Sequence, residues 1–187
     1  MEHISIDEAE SFGFGAGVDH RTLNDDLGCR DVSINRYRID PDGSLPWGLH
    51  AHYDQEEIFI VIEGSVTFET LDGRVTVAAG EAIRFDHGEY QSAGNKGDDR
   101  AVYLAIGAPP ESTDMRIPLT CDECGESELQ LGDGFEELHC LSCEHSIPAA
   151  CQECGSNERY VHLSSDGSML LDSCRACGDS RTIRSIG

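Results

Sequence analysis

From residue 32 to residue 108 apolar side chains arrive in short bursts separated by turn signals, with no sustained helical spacing. The bursts are Val32–Ile39, Glu57–Ile62, Ser65–Thr70, Arg74–Val77, Glu81–Phe85 and Ala101–Ile106, all rich in Val, Ile, Tyr, Phe and Thr. Between and around them stand Asp42-Gly43, Glu63-Gly64, Asp72-Gly73, Ala79-Gly80, Asp86-His87-Gly88 and Gly94-Asn95. β-branched and aromatic residues fit a pleated, half-buried surface, and Gly with Asp or Asn supplies the turn geometry that joins such strands. The pattern predicts an all-β sandwich or barrel. Residues 1 to 29 are a less patterned extension, expected to pack on that barrel. Ser5–Ser11 reads as a capped helical turn and Gly13–Gly17 as a flexible loop. The latter's alternating glycines follow no apolar strand, so they do not read as a phosphate loop.

The pattern changes near residue 112. Pro109 and Pro110 cannot continue a sheet ladder and mark an exit loop. Residues 115 to 187 hold eight of the nine cysteines and few large apolar residues, too few for an unaided core. The eight form four Cys-x-x-Cys turns: Cys121/Cys124, Cys140/Cys143, Cys151/Cys154 and Cys174/Cys177. Fifteen residues separate the first two turns and nineteen the last two, the spacing at which paired turns face one another across a tetrahedral metal. Gly125, Gly155 and Gly178 follow three of the turns, where positive φ is wanted. Two structural zinc ions are expected, with iron in rubredoxin-like sites as the competing reading. Sequential pairing closes shorter loops than a crossed one and is preferred. Both repeats resemble zinc ribbons. Four thiolates leave no open coordination position, so these sites should be structural. Cys29, alone between Gly28 and Arg30, reads as an ordinary small residue.

Charge narrows the partners. Asp and Glu number 36 against 13 Lys and Arg, a net charge of -23, and 12 of the 13 cations are Arg, with Lys96 the exception. Such acidity with scarce Lys resembles haloarchaeal proteins, whose molar internal salt shortens the Debye length to about 3 Å. Residues 111 to 187 carry 15 acidic and 5 basic side chains with no Lys, so no phosphate-tracking stripe is present and nucleic acid is not the expected partner. The longest apolar run, Ala101–Ile106, falls far short of the roughly 20 residues that span a bilayer. The acidic N-terminal residues lack the basic start and apolar core of a secretory signal. The chain is therefore expected in the cytoplasm, with no membrane partner.

The chemistry concentrates in Gly48-Leu49-His50-Ala51-His52-Tyr53-Asp54-Gln55-Glu56-Glu57. Residues two apart on a strand share a face, so His50 and His52 project together, with a carboxylate and a strongly β run close behind. His50, His52, Glu57 and Gly64 resemble the first motif of the cupin family: His-x-His, three or four residues, Glu, six residues, Gly. Gly80, Gly88 and Asn95 match its second motif, but Asp86 replaces the proline and Gln91 the last histidine. The resemblance spans residues 30 to 108. It implies a double-stranded β-helix, or jelly-roll, barrel around a divalent transition metal (Fe, Mn, Ni, Cu or Zn) held by His50, His52, Glu57 and Gln91. A glutamine oxygen is a harder, weaker donor than imidazole, and His87 or Glu89 lies near enough in sequence to substitute. On that fold Glu57, Phe59 and Val61 point inward and Ile58, Ile60 and Ile62 outward, an apolar outer face to be covered by the second sheet, the N-terminal segment or the partner in a homodimer. Trp47, Tyr37, Tyr53, Arg84 and Tyr103 are candidate pocket residues.

The chain thus divides into an extension at 1–29, a cupin barrel at 30–112, and zinc-ribbon-like modules at 113–147 and 148–187. Fold does not dictate function. One reading is a metal-dependent enzyme, a dioxygenase-like oxidoreductase or an isomerase, acting on a small molecule in the barrel with Glu56 or His87 as general acid or base. The other is a non-catalytic sensor of a small molecule or metal, whose ribbons contact a protein partner.

Overall fold

The computed structural model describes residues 1–13 and 17–186. The loop expected over Gly13–Gly17 therefore lies, at residues 14–16, outside the described residues. The expected all-β organisation is present, and two sheets form the barrel. The larger is antiparallel, in the order Ser11–Gly13, Val18–Thr22, Ser33–Ile39, Ala101–Ala108, Glu56–Glu63, Ala82–Phe85; the smaller is Ser92–Gly94, Ser65–Thr70, Gly73–Ala78. Alternation along the strands decides what faces inward. Phe59 and Val61 of Glu56–Glu63 are buried with Val66, Phe68, Phe85, Ile39 and Tyr103, whereas Ile62 faces out and is 55% exposed.

The N-terminal extension continues the larger sheet with two strands, His20 lying opposite Tyr37. The capped turn expected at Ser5–Ser11 is corrected. Only one 3-10 turn forms, Ile6–Glu8, Ser5 makes no side-chain cap, and Ser11 already starts a strand. A short helix the sequence reading missed, Asn24–Leu27, closes on Gly28 in the left-handed region. Among the described residues no helix is long and apolar enough to cross a membrane.

The C-terminal modules do not stand apart from the barrel. Met115–Ile117, Leu129–Leu131, Glu137–His139 and Ser146–Pro148 form one antiparallel sheet whose far edge is Ala51–His52 of the barrel. Arg159–Leu163, Met169–Cys174 and Ser180–Ser185 form another, and Trp47–Gly48 adds to it as a parallel strand. The shortage of apolar residues in this half is met by sharing. Leu119, Leu129, Leu138, Val161, Leu163 and Leu170 enclose one core with Leu49 of the barrel, which is fully buried. Burying a leucine contributes about 1.5–3 kcal/mol, so Leu49 ties the strap at residues 47–52 to both modules at once. Polar contacts reinforce the seam. Glu128 accepts hydrogen bonds from the Tyr53 and Tyr90 hydroxyls, both at 2.7 Å, and pairs with Arg116. Arg74 donates to the carbonyls of Leu163, Ser164 and Ser165.

Candidate functional site

The strap carries both histidines of the His-x-His pattern, and its backbone is held from three sides. His50 exchanges hydrogen bonds with Gln91 of the barrel, at 3.1 and 2.8 Å. Leu49 N donates to Val161 O at 2.7 Å on the second module, and His52 lies opposite Met115 on the first. Gly48 is required here: its φ is +69°, and a Cβ built on it would sit 1.9 Å from Val161 O.

The hydrogen bonds fix which nitrogen of each imidazole faces the site. His50 Nδ1 lies 2.9 Å from the Gly48 carbonyl, which can only accept, so Nδ1 carries the proton. His52 Nδ1 lies 2.8 Å from Ser112 Oγ, whose own proton goes to Asp54 Oδ1 at 2.6 Å, so this Nδ1 is again the donor. Both Nε2 atoms are left unprotonated, each with a lone pair, the tautomer that outer partners impose on metal-binding histidines. They converge with a Glu57 carboxylate oxygen, all three atoms lying within 4.8 Å of one another. Asp54 is fixed by further bonds from the Thr113 hydroxyl and from the backbone N–H groups of Thr113 and Asp114.

The electrostatics of this cluster favour a cation. Burial lowers the His50 pKa, and burial with the neighbouring His50 lowers that of His52 to about 3, so both rings are neutral near pH 7. Burial pushes the Glu57 carboxyl up to about 7 against the opposing hydrogen bond from Gln91. Lone pairs on His52 Nε2 and Glu57 Oε2 face each other at 3.5 Å, an arrangement a shared positive ion relieves. Gln91 Nε2 reaches Glu57 Oε2 at 2.9 Å and His50 Nε2 at 3.1 Å, while its Oε1 is buried without a partner. A half-turn of that amide presents an oxygen to the same centre. The donor set, two imidazole nitrogens with carboxylate and amide oxygens, suits a first-row divalent metal.

The cluster lies in the wall of a cavity of about 1160 Å³. Tyr37 and Trp47 line it, as expected, but Tyr53, Arg84 and Tyr103 do not. Tyr53 is bonded to Glu128, Arg84 is paired with Glu56 and Asp86 on the surface, and Tyr103 is fully buried in the core. The assignment of Glu56 and His87 as acid or base is corrected. Alternation along the strand turns Glu56 away from Glu57 and onto Arg84, and His87 is exposed against Asp86; neither lines the cavity. Glu89 is likewise exposed and caps Asp86 N. The sequence reading missed the contribution of the modules. Leu131–Phe135 of the first, with Asn157, Glu158 and Arg175 of the second, complete the mouth. The signal available was Phe135, a large apolar residue directly after the Asp133-Gly134 turn of a polar hairpin.

The cysteines gather in sequential groups, Cys121, Cys124, Cys140, Cys143 and Cys151, Cys154, Cys174, Cys177, with Sγ atoms of each group within 4.8 Å. Cys121 and Cys143 lie 3.7 Å apart and Cys124 and Cys140 3.5 Å, separations of four thiolates about one ion and not of a disulfide. The backbone logic holds at all four turns: Gly125, Gly155 and Gly178 have positive φ, and after Cys143 the non-glycine Glu144 takes the same conformation, at +62°. Cys29 is half-buried and unpaired with another cysteine.

Comparison with known proteins agrees with this geometry. Residues 35–107 match the family model described as Cupin domain. Among solved structures, the polyketide cyclase RemF from Streptomyces resistomycificus superposes with a TM-score of 0.55 at 22% identity, over 66% of this chain and 89% of that one. A sugar phosphate isomerase from a cupin superfamily, from Silicibacter pomeroyi, superposes with a TM-score of 0.54 at 16% identity, over 99% of both chains. Identities this low establish the fold alone. No curated protein matches the chain. Residues 35–107 are a cupin domain, and the region that follows carries two four-cysteine clusters consistent with zinc-ribbon-like modules.

Proposed function

We propose that this chain is a metal-dependent cupin enzyme acting on a small molecule, with His50, His52 and Glu57 holding one divalent transition metal and Gln91 offering a fourth donor. The observation that carries the reading is the convergence of two Nε2 lone pairs and a buried carboxylate in a cavity wall, with both Nδ1 protons already committed elsewhere. When bound, such an ion supplies Lewis acidity or redox chemistry to a ligand oxygen. The chain's own residues do the rest. Gly48 and Ser112 hold the imidazoles in register, Phe59 and Met115 make the wall apolar, and Tyr37, whose phenol burial keeps protonated, offers a hydrogen-bond donor. In this reading the eight clustered cysteines hold two structural zinc ions that keep the strap in place.

Elemental analysis of the wild type beside His50→Ala/His52→Ala tests it. The expected result is about two zinc ions per chain in both proteins and one further transition metal in the wild type alone. A redox-active iron or copper there supports oxidative cleavage, and zinc supports polarisation of a carbonyl for isomerisation. Two zinc ions and nothing more, even after reconstitution, refutes the enzyme reading. A second reading, a small-molecule or metal sensor with a protein partner on its modules, draws on two features. Gln91 stands where the resemblance places an imidazole, and Leu141, in the Cys140–Cys143 turn, is an exposed large apolar residue.

A further inference from the structure

Two aromatic residues stand at the mouth of the cavity in a backbone conformation that bulky side chains avoid. Trp47 has φ +66° and Phe135 has φ +61°, and their rings are 6.3 Å apart at 33°. The left-handed region costs an ordinary L-residue roughly 1–2 kcal/mol, and glycine or asparagine would remove much of that cost. Packing does not account for Phe135, which sits at a hairpin tip and is 56% exposed. Trp47 is half-buried against the shared core, so of the two only Phe135 is strained without a packing return, and residues in such conformations concentrate where a ligand is met. Both rings line the same cavity as His50, His52 and Glu57. They come from different parts of the chain, the strap and the first four-cysteine module, so the module supplies half of the lip.

Charge then restricts the ligand. Asp42, Glu57, Asp133 and Glu158 all line the cavity, and among the described residues its one Arg or Lys is Arg175. Arg175 is held on neutral partners. Its Nη2 donates to Ser44 Oγ at 2.8 Å and Leu45 O at 3.4 Å, and its guanidinium lies 4.0 Å over the Tyr160 ring. Outside the proposed metal ligands, the cavity offers an anion three carboxyl groups, Asp42, Asp133 and Glu158, and one side-chain cation, Arg175.

We infer that Trp47 and Phe135 form a specificity-determining aromatic lip that stacks on a ring of the substrate, and that the ring held there carries no phosphate or carboxylate. The inference deepens the enzyme reading above and rests on it for the word substrate; the lip itself does not need the metal.

Trp47 is the chain's single tryptophan, so its fluorescence reports directly on the lip. The experiment titrates para-hydroxybiphenyl and its phosphate ester into the full-length protein, following Trp47 emission and the heat of binding. It is run in molar salt, where the screening length of about 3 Å suppresses repulsion by the net charge of the whole chain. Saturable quenching by the phenol is expected, with the phosphate ester at least ten-fold weaker. Phe135→Gly should weaken the phenol by about five- to ten-fold, the scale of one aromatic contact, and should melt no lower than wild type because glycine accepts the φ. An unquenched Trp47 up to the phenol's solubility limit, equal affinity in Phe135→Gly, or a phosphate ester that binds as well as the phenol would each overturn the inference. His50→Ala/His52→Ala separates the two readings. Phe135-dependent binding that survives there, with no transition metal in the wild type, leaves the lip and removes the enzyme. A bound metal with binding indifferent to Phe135 does the reverse.

Discussion

Gly48→Ala tests whether the parallel pairing between the strap and the second module holds the candidate metal centre. The added Cβ would lie 1.9 Å from Val161 O and 2.9 Å from the Val161 carbonyl carbon and amide nitrogen, all backbone atoms that cannot rotate away. Real Cβ contacts stay beyond about 3.0 Å, so the two segments must separate by about 1 Å. The φ of +69° costs alanine roughly 1–2 kcal/mol by itself. Separation also breaks the 2.7 Å bond from Leu49 N to Val161 O, a net loss of about 1 kcal/mol. Loosening the packing of Leu49 forfeits part of the roughly 1.5–3 kcal/mol its burial contributes. The total is about 3–5 kcal/mol. Urea unfolding followed by Trp47 fluorescence measures it, and a metal-binding isotherm measures the consequence, since the Gly48 carbonyl that fixes His50 moves with the strap. Gly125→Ala is the matched control: its φ is +78° with open space around it, so it should cost the backbone term alone. A Gly48→Ala loss no larger than that of Gly125→Ala, with unchanged metal affinity, would show that the pairing does not support the site.

Three further outcomes are expected. Ser112→Ala removes the acceptor that fixes the His52 tautomer and should weaken transition-metal binding about 10- to 100-fold with little change in melting temperature; an unchanged isotherm would refute the orienting role. Asp172 is buried, which alone would raise its pKa, but the guanidiniums of Arg159 at 2.8 Å and Arg181 at 2.7 Å outweigh burial and hold it below the usual carboxylate range. Its stabilisation should therefore be complete above the unfolded value of about 3.9 and be lost as pH falls through the lower folded value. Asp172→Asn should be about 3–5 kcal/mol less stable at neutral pH, a gap that narrows on acidification, and a pH-independent gap would contradict this. Glu144→Gly relieves a φ of +62° and should raise the unfolding free energy by up to about 1 kcal/mol; a lower melting temperature would count against backbone strain there.

The barrel strands and the cysteine groups were legible in the sequence because their signals are local. Ser65–Thr70 falls where turn chemistry and β-branched residues put it, and a Cys-x-x-Cys turn announces its own geometry. His50, His52 and Glu57 were legible for the same reason, since period-two alternation puts each pair of neighbours on opposite faces. That alternation also turns Glu56 outward onto Arg84, although it stands beside Glu57 in sequence. The strands Ser11–Gly13 and Val18–Thr22 were missed because Asp19, His20 and Arg21 interrupt any apolar run, and it is pairing with Ser33–Ile39 that makes them strands. Trp47–Gly48 and Ala51–His52 are two residues long, too short for any periodicity, and their partners lie far along the chain. Division at residue 112 follows composition faithfully, yet the packing joins what composition separates, because Leu49 completes a core that the modules cannot close themselves.

The pairing of Trp47 with Tyr160, more than a hundred residues later, sets the order in which the molecule can be assembled. Closing so long a loop is entropically costly, and contacts of this separation form late in folding. During synthesis the last barrel strand, Ala101–Ala108, leaves the ribosome well before Arg159–Leu163, so both barrel sheets can pair while the strap still lacks its second neighbour. A nascent chain at that stage has its imidazoles on a segment free to move, and the tautomer-fixing Gly48 carbonyl is not yet in place. The candidate centre is thus completed only once Arg159–Leu163 has been made, and a chain truncated before that strand should carry a barrel without a finished metal site.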